Sequence, residues 1–182
     1  MNHKIELNLD DNDMNYFYEV MKKAQVSAKE LDEGKIISKA KKLVSNIKGN
    51  VPDFIQTRID KLNTIIMMVE DDDWQIPKQE REQIFAALAY FSNAQELVPD
   101  DLPVLGFLDD AIMIELVADS LADCVGGFKE FCAYREEQLI RFGNEAVTKK
   151  DWLADKRHVL HERIIRHRKN YQNYDNKFTS IF

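Results

Sequence analysis

An all-α fold, a single bundle of about seven helices, is predicted by three observations. The 182 residues hold only 6 glycines and 4 prolines, too little turn material for the many short strands of a sandwich or barrel. Apolar residues recur at three- and four-residue spacing along most of the chain, which is the pattern of helices burying one face. The length corresponds to about one domain, and at this size roughly 70% of the unfolded surface is buried without help from a metal or disulfide. A composition of 45% hydrophobic and 31% charged residues excludes collagen-like and disordered chains. The two cysteines, Cys124 and Cys132, form no CxxC and no disulfide framework, as expected in a reducing compartment.

Each element follows from local signals. Asp11 or Asp13 is expected to cap a first helix bearing Tyr16, Phe17, Val20 and Met21. Leu31, Ile36, Ile37, Ala40, Val44 and Ile47 outline a second, with lysines on its other faces and Gly49 as its stop. Pro52 suits the first turn of a third helix, whose buried stripe is Ile55, Ile59, Leu62, Ile66 and Val69. The acidic run Glu70 to Asp73 ends it. Pro77 opens a fourth, with Ile84, Ala87, Leu88, Phe91 and Ala94 on one side, and Pro99 and Pro103 mark its end. A fifth runs from near Gly106 to about Ala122, and the Gly126-Gly127 pair is expected to break the chain before a sixth, which Gly143 closes. Thr148 and Asp151 resemble a capping box at the start of a long seventh helix with Trp152, Val159, Leu160 and Ile164. Residues 1–75 are expected to pack, as a possible sub-domain, on a core formed by residues 76–182, with the acidic run as the only plausible boundary.

Charge is distributed unevenly. Residues 156–182 contain seven Lys or Arg against Glu162 and Asp175, a net of +5, and subtracting this from the total of −7 leaves −12 on residues 1–155. An acidic body of that size repels nucleic acid and anionic lipid. Only the last helix, with the basic patch Arg157, Arg163, Arg166, Arg168 and Lys169, attracts them, and its own acidic body, in this or another copy, is the nearer partner. No run approaches the ~20 apolar residues of a spanning helix. The opening residues lack the apolar stretch of a signal peptide, so a cytoplasmic location is expected.

The segment from Ala86 to Leu121 contains residue choices that helix patterning does not explain. Ala89-Tyr90, Leu97, Pro99-Asp100, Pro103-Val104-Leu105-Gly106 and Leu108-Asp109-Asp110 resemble, without a gap, the core motif of the YkvA-like domain of unknown function, number 1232. Asn93-Ala94 stands where that family has Ser-Pro, and Glu96 where it has Asp. The resemblance implies a helical hairpin, in a family with soluble and membrane-associated members, and so leaves peripheral membrane contact open. It implies no established reaction.

Read physically, the same segment places Asp110 on the side of Met113, Ile114, Val117 and Leu121. Glu115 and Asp119 fall on the other side and are expected in water. An inward carboxylate requires hydrogen bonds, a cation or a proton. Free backbone N–H groups of the first helical turn are the simplest partners for Asp109 or Asp110. The alternative gathers Glu96, Asp100, Asp101, Asp109 and Asp110 around the proline turn as oxygen ligands for Mg²⁺, Mn²⁺ or Ca²⁺. Glu96, Asp109 and Asp110 are its candidate ligands.

The remaining candidates favour packing. His158 and His161, three apart, and His167 lack an HExxH or ExxH companion. No phosphate-loop glycine pattern occurs, Cys124 and Cys132 have no adjacent base, and Ser92 and Ser120 lack a nucleophile-elbow context. The apolar residues 178–182 suit docking on a helix groove or another subunit. The expected function is therefore that of a non-enzymatic helical interaction or adaptor protein, with no cofactor and with a protein partner or a second copy as ligand. The alternative is a metal-dependent, hydrolase-like enzyme at Glu96, Asp100, Asp109 and Asp110.

Overall fold

The computed structural model describes residues 10–28, 32–46, 51–92, 108–143 and 149–174. Their elements are α1 (Asp11–Ala28), α2 (Glu33–Asn46), α3 (Asp53–Glu70), α4 (Lys78–Leu88), a 3-10 turn (Ala89–Ser92), α5 (Leu108–Ser120), α6 (Ala122–Phe142) and α7 (Lys149–Tyr174). The all-α fold class of about seven helices is therefore observed. The Gly49 stop, Leu31, Ile47, the Pro99–Pro103 turn with Glu96, Asp100 and Asp101, Gly106, Thr148 and residues 178–182 lie outside the described residues.

One apolar core runs through all the helices, from Phe17 and Met21 of α1 through Leu62 and Ile65 of α3 and Met113 and Val117 of α5 to Phe131 of α6 and Ile164 of α7. The helix α3 buries seven side chains, from Ile55 to Val69, and packs on α5, while α1 and α2 pack on the 3-10 turn and α6 on α7. Pro52 and Pro77 cap α3 and α4 with φ near −55°. That ring-fixed angle is already helical, and a missing N–H costs nothing at a helix start.

Several local expectations are corrected. The cap of α1 is Asp10, whose Oδ1 accepts from the N–H of Asn12 at 2.8 Å and of Asp13 at 3.0 Å, while Asp13 Oδ2 accepts from the Asp10 N–H at 3.0 Å. Asp11 takes no part, and Asp13 serves as the reciprocal acceptor of a capping box. The Gly126-Gly127 pair does not break the chain, because α6 runs straight through it. A Cβ on Gly127 would stand 2.8 Å from Cδ1 of Ile164 and 3.5 Å from the Trp74 ring, so this glycine lets α7 and the α3–α4 loop approach the α6 backbone. The actual break is Leu121, a single turn residue between α5 and α6. Gly143 ends α6 as expected, with φ +63° and its N–H on the Leu139 carbonyl at 3.0 Å. Val159 lies on the open side of α7, 60% exposed, and Leu153, Leu160 and Ile164 form its buried stripe.

The acidic run is tied down. Asp71 accepts from Arg135 of α6 at 2.7 and 3.1 Å, and Asp73 accepts from the same guanidinium at 3.1 Å. Asp71 also accepts from its own loop's N–H groups at Asp73 and Trp74. Trp74, 1% exposed, then packs edge-on against Phe128 and His161 and tilted against Phe131.

Candidate functional site

The motif segment brings Tyr90 of the 3-10 turn into electrostatic reach of Asp109 and Asp110 in the first turn of α5. Burial, then the charges of Asp110 and Asp109, push the Tyr90 phenol above its ordinary range. Asp109, 6% exposed, is the more deeply buried carboxylate, and Asp110 is half-buried. The helical arithmetic aimed Asp110 at the core correctly in direction. Of the proposed acidic cluster, the described residues include Asp109 and Asp110 only. Among the described residues no group of three or more His, Cys, Asp or Glu side chains is placed to hold a metal ion.

Glu115 departs from its expected solvated position. It is half-buried and bridges α5 to α3, with Lys61 Nζ at 2.6 Å and Arg58 Nε at 3.2 Å. The helical wheel of α5 contains no sign of this, because the cations lie on a distant segment. Asp119 is exposed as expected.

A second cluster was invisible to the motif reading. Glu80, in the first turn of α4, is 2% exposed and forms an ion pair with Arg168 of α7. Its Oε2 also lies 3.6 Å from Cys124 Sγ of α6, and its Oε1 has no hydrogen-bond partner. Burial pushes the Cys124 thiol up to about 12 and lowers the Arg168 guanidinium, so Cys124 is an inert packed thiol. A signal for Glu80 was present: it stands four residues before Ile84 and thus on the apolar stripe of α4.

The basic patch is largely consumed within the chain. Lys156 and Arg163 share Glu130 of α6, each at 2.6 Å, and their hydrogen bonds hold that carboxyl below its ordinary range. Arg157 donates to the Asp73 carbonyl at 2.7 Å. Arg166 and Lys169 are exposed. The three histidines of α7 diverge. His158 lies 3.4 Å from Glu162, His167 3.5 Å from Asp123, and His161 turns inward against Trp74. Burial, with the nearby Arg157 charge, lowers His161 to about 4.

The surface carries an open cleft of about 890 Å³ between α2, the end of α3 and α4. Its apolar floor is Ile37, Val69 and Phe85. On its rim Arg81 grips Glu33 at 2.7 and 3.0 Å with its guanidinium 4.9 Å above the Phe85 ring, and Lys41 meets Glu70 at 2.6 Å. Asp32 and Asp72 complete the rim.

Fold and site together define an all-α protein in which charged side chains staple helix to helix and a two-carboxylate, one-phenol group opens the fifth helix. The segment that supplies this group, residues 83–116, matches the family described as a protein of unknown function, DUF1232. This is the segment for which the YkvA-like resemblance stands, and it spans the end of α4, the 3-10 turn and the first part of α5. No curated protein and no solved structure matches the chain.

Proposed function

We propose that the chain is a non-enzymatic helical interaction protein of the cytoplasm. The observation that carries this reading is the commitment of its sheltered carboxylates. Glu80, Asp71, Glu115 and Glu130 each face a guanidinium or ammonium from another helix. A carboxylate that pairs with a cation carried by another element ties the two elements together, a role that suits cross-bracing of the bundle. The described helices also include none long and apolar enough to cross a membrane. What the braced bundle offers a partner is surface, including the open cleft between α2, the end of α3 and α4.

One observation favours a second reading, a metal-dependent hydrolase-like activity: the carboxylates of Asp110 and Asp109 in the family segment lie within electrostatic reach of the Tyr90 phenol. A thermal-melt titration with Mg²⁺, Mn²⁺ and Ca²⁺ separates the two. A genuine site stabilises by RT ln(1 + [L]/Kd), about 2.7 kcal/mol at a hundredfold excess over Kd. The interaction reading expects no saturable shift at millimolar ion. A saturable shift abolished by both Asp110→Asn and Glu96→Gln overturns it in favour of the hydrolase-like enzyme.

A further inference from the structure

We propose that the part of α7 beyond Ile164 is a latch over the buried Glu80 and Cys124 side chains: it undocks from α4 and α6 while the rest of the bundle stays folded, and the Glu80–Arg168 ion pair is its catch. The apolar anchoring of α7 ends at Ile164, whose Cδ1 faces Gly127. Beyond it the described side chains, Ile165 to Lys169, are half-buried or exposed. Two polar contacts hold this stretch to the body: Arg168 pairs with Glu80 of α4, and the His167 imidazole lies 3.5 Å from Asp123 of α6. Underneath, Glu80 and Cys124 are almost wholly buried and meet at 3.6 Å. Arg168 and Cys124 approach the same carboxylate oxygen, Oε2, so the guanidinium stands beside the thiol it shelters.

The energetics of the catch favour local opening. A sheltered ion pair gives up the hydration of both charges to form, and burial lowers the Arg168 guanidinium accordingly. Glu80 also closes with one oxygen, Oε1, that accepts no hydrogen bond. Undocking returns water to both charges and to that oxygen, which offsets the loss of the pair. No such return accompanies the loss of Leu153, Leu160 and Ile164 from the core or of His161 from Trp74, because apolar contacts gain nothing from water. The released stretch, shorter than the ~12–15 residues an isolated helix needs in water, then unwinds. Opening therefore converts an inert packed thiol into an accessible one beside a hydrated carboxylate, without global unfolding.

Thiol labelling with dithiodipyridine tests the proposal, on the full chain carrying Cys132→Ser so that Cys124 is its one cysteine, together with hydrogen exchange read by mass spectrometry. Cys124 should label at a rate that stays nearly constant as urea is raised below the unfolding transition, because local opening exposes little surface, whereas a rate set by global unfolding climbs steeply. The amides of residues 166–169 should exchange with the same opening constant as the thiol, and faster than those of residues 153–164. Arg168→Gln in the same background should speed the labelling by about tenfold or more, since it breaks one side of the sheltered pair. Loss of that cation also disfavours the thiolate, which by itself slows the reaction, so acceleration reports opening. Circular dichroism shows whether the variant is folded, and the urea dependence and exchange pattern of the chain that keeps Arg168 decide the question without it. Labelling that climbs with urea in step with global unfolding, amides beyond Ile164 as protected as those before it, or a folded Arg168→Gln variant labelled no faster would each overturn the proposal.

Discussion

Removing the Glu80 carboxylate would leave the Arg168 guanidinium facing a half-buried wall without its counter-ion. Breaking one side of a sheltered ion pair costs about 3 kcal/mol, whereas replacing both partners by apolar groups of similar size is often near neutral. Glu80→Ala should therefore lower the denaturation midpoint strongly, and Glu80→Leu with Arg168→Met should recover most of the loss. If the single and double variants melt alike, the pair does not brace α4 to α7. His161 sets a pH dependence of defined sign. Its pKa falls from 6.5 in the unfolded chain to about 4 in the folded one, so the folded state resists protonation. Its contribution is fully present above pH 6.5 and is lost as pH falls from 6.5 toward 4. Glu130, lowered by Lys156 and Arg163, loses its contribution only below the ordinary carboxylate range. Stability measured between pH 6.5 and 4.5 should therefore decline less steeply in His161→Phe, which keeps a ring against Trp74; an unchanged slope would refute the burial of a neutral imidazole.

At the scale of an element, the two adjacent glycines of α6 make opposite demands. A side chain on Gly126 meets nothing within 4 Å, so Gly126→Ala should stabilise by up to about 1 kcal/mol through helix propensity. Gly127 faces Ile164 and Trp74 across a contact already filled, and Gly127→Val should destabilise by about 2 kcal/mol through overpacking. Paired urea melts read the difference directly, and shifts of the same sign would contradict the close approach of α7. The glycine pair therefore serves packing at one position and nothing visible at the other. The helix α7 shows the same division along its length: Leu153, Leu160 and Ile164 anchor its first half in the core, and beyond Ile164 the His167 imidazole lies 3.5 Å from Asp123 and Arg168 pairs with Glu80.

For the molecule as a whole, we infer that residues 1–75 and 76–182 fold as one unit. The seven buried side chains of α3 pack on α5 across the proposed boundary, and Asp71 and Asp73 in the boundary itself are clamped by Arg135. Thermal unfolding should be a single transition with equal calorimetric and van't Hoff enthalpies. A fragment of residues 76–182, deprived of α3, should lose its near-ultraviolet circular dichroism. Two resolved transitions would instead support an independent N-terminal unit.

The helices were legible in the sequence because their causes are local. Spacing of apolar residues, Pro52 and Pro77 at helix starts and Gly143 at a helix end act over one or two turns, and the structure places helix starts and an end at these residues. The DUF1232 segment was legible for a different reason, since its residue choices exceed what a helix needs. Glu115 was expected in water and Gly127 at a chain break, and each expectation failed on a contact made by a remote segment, Lys61 and Arg58 for the first and Ile164 for the second; the burial of Glu80 depends in the same way on Arg168. Whether a charge is solvated or paired, and whether a glycine breaks a helix or admits a neighbour, depends on what stands across the interface. Helical periodicity identifies the face a residue occupies, and only the packed tertiary structure supplies the atoms opposite it.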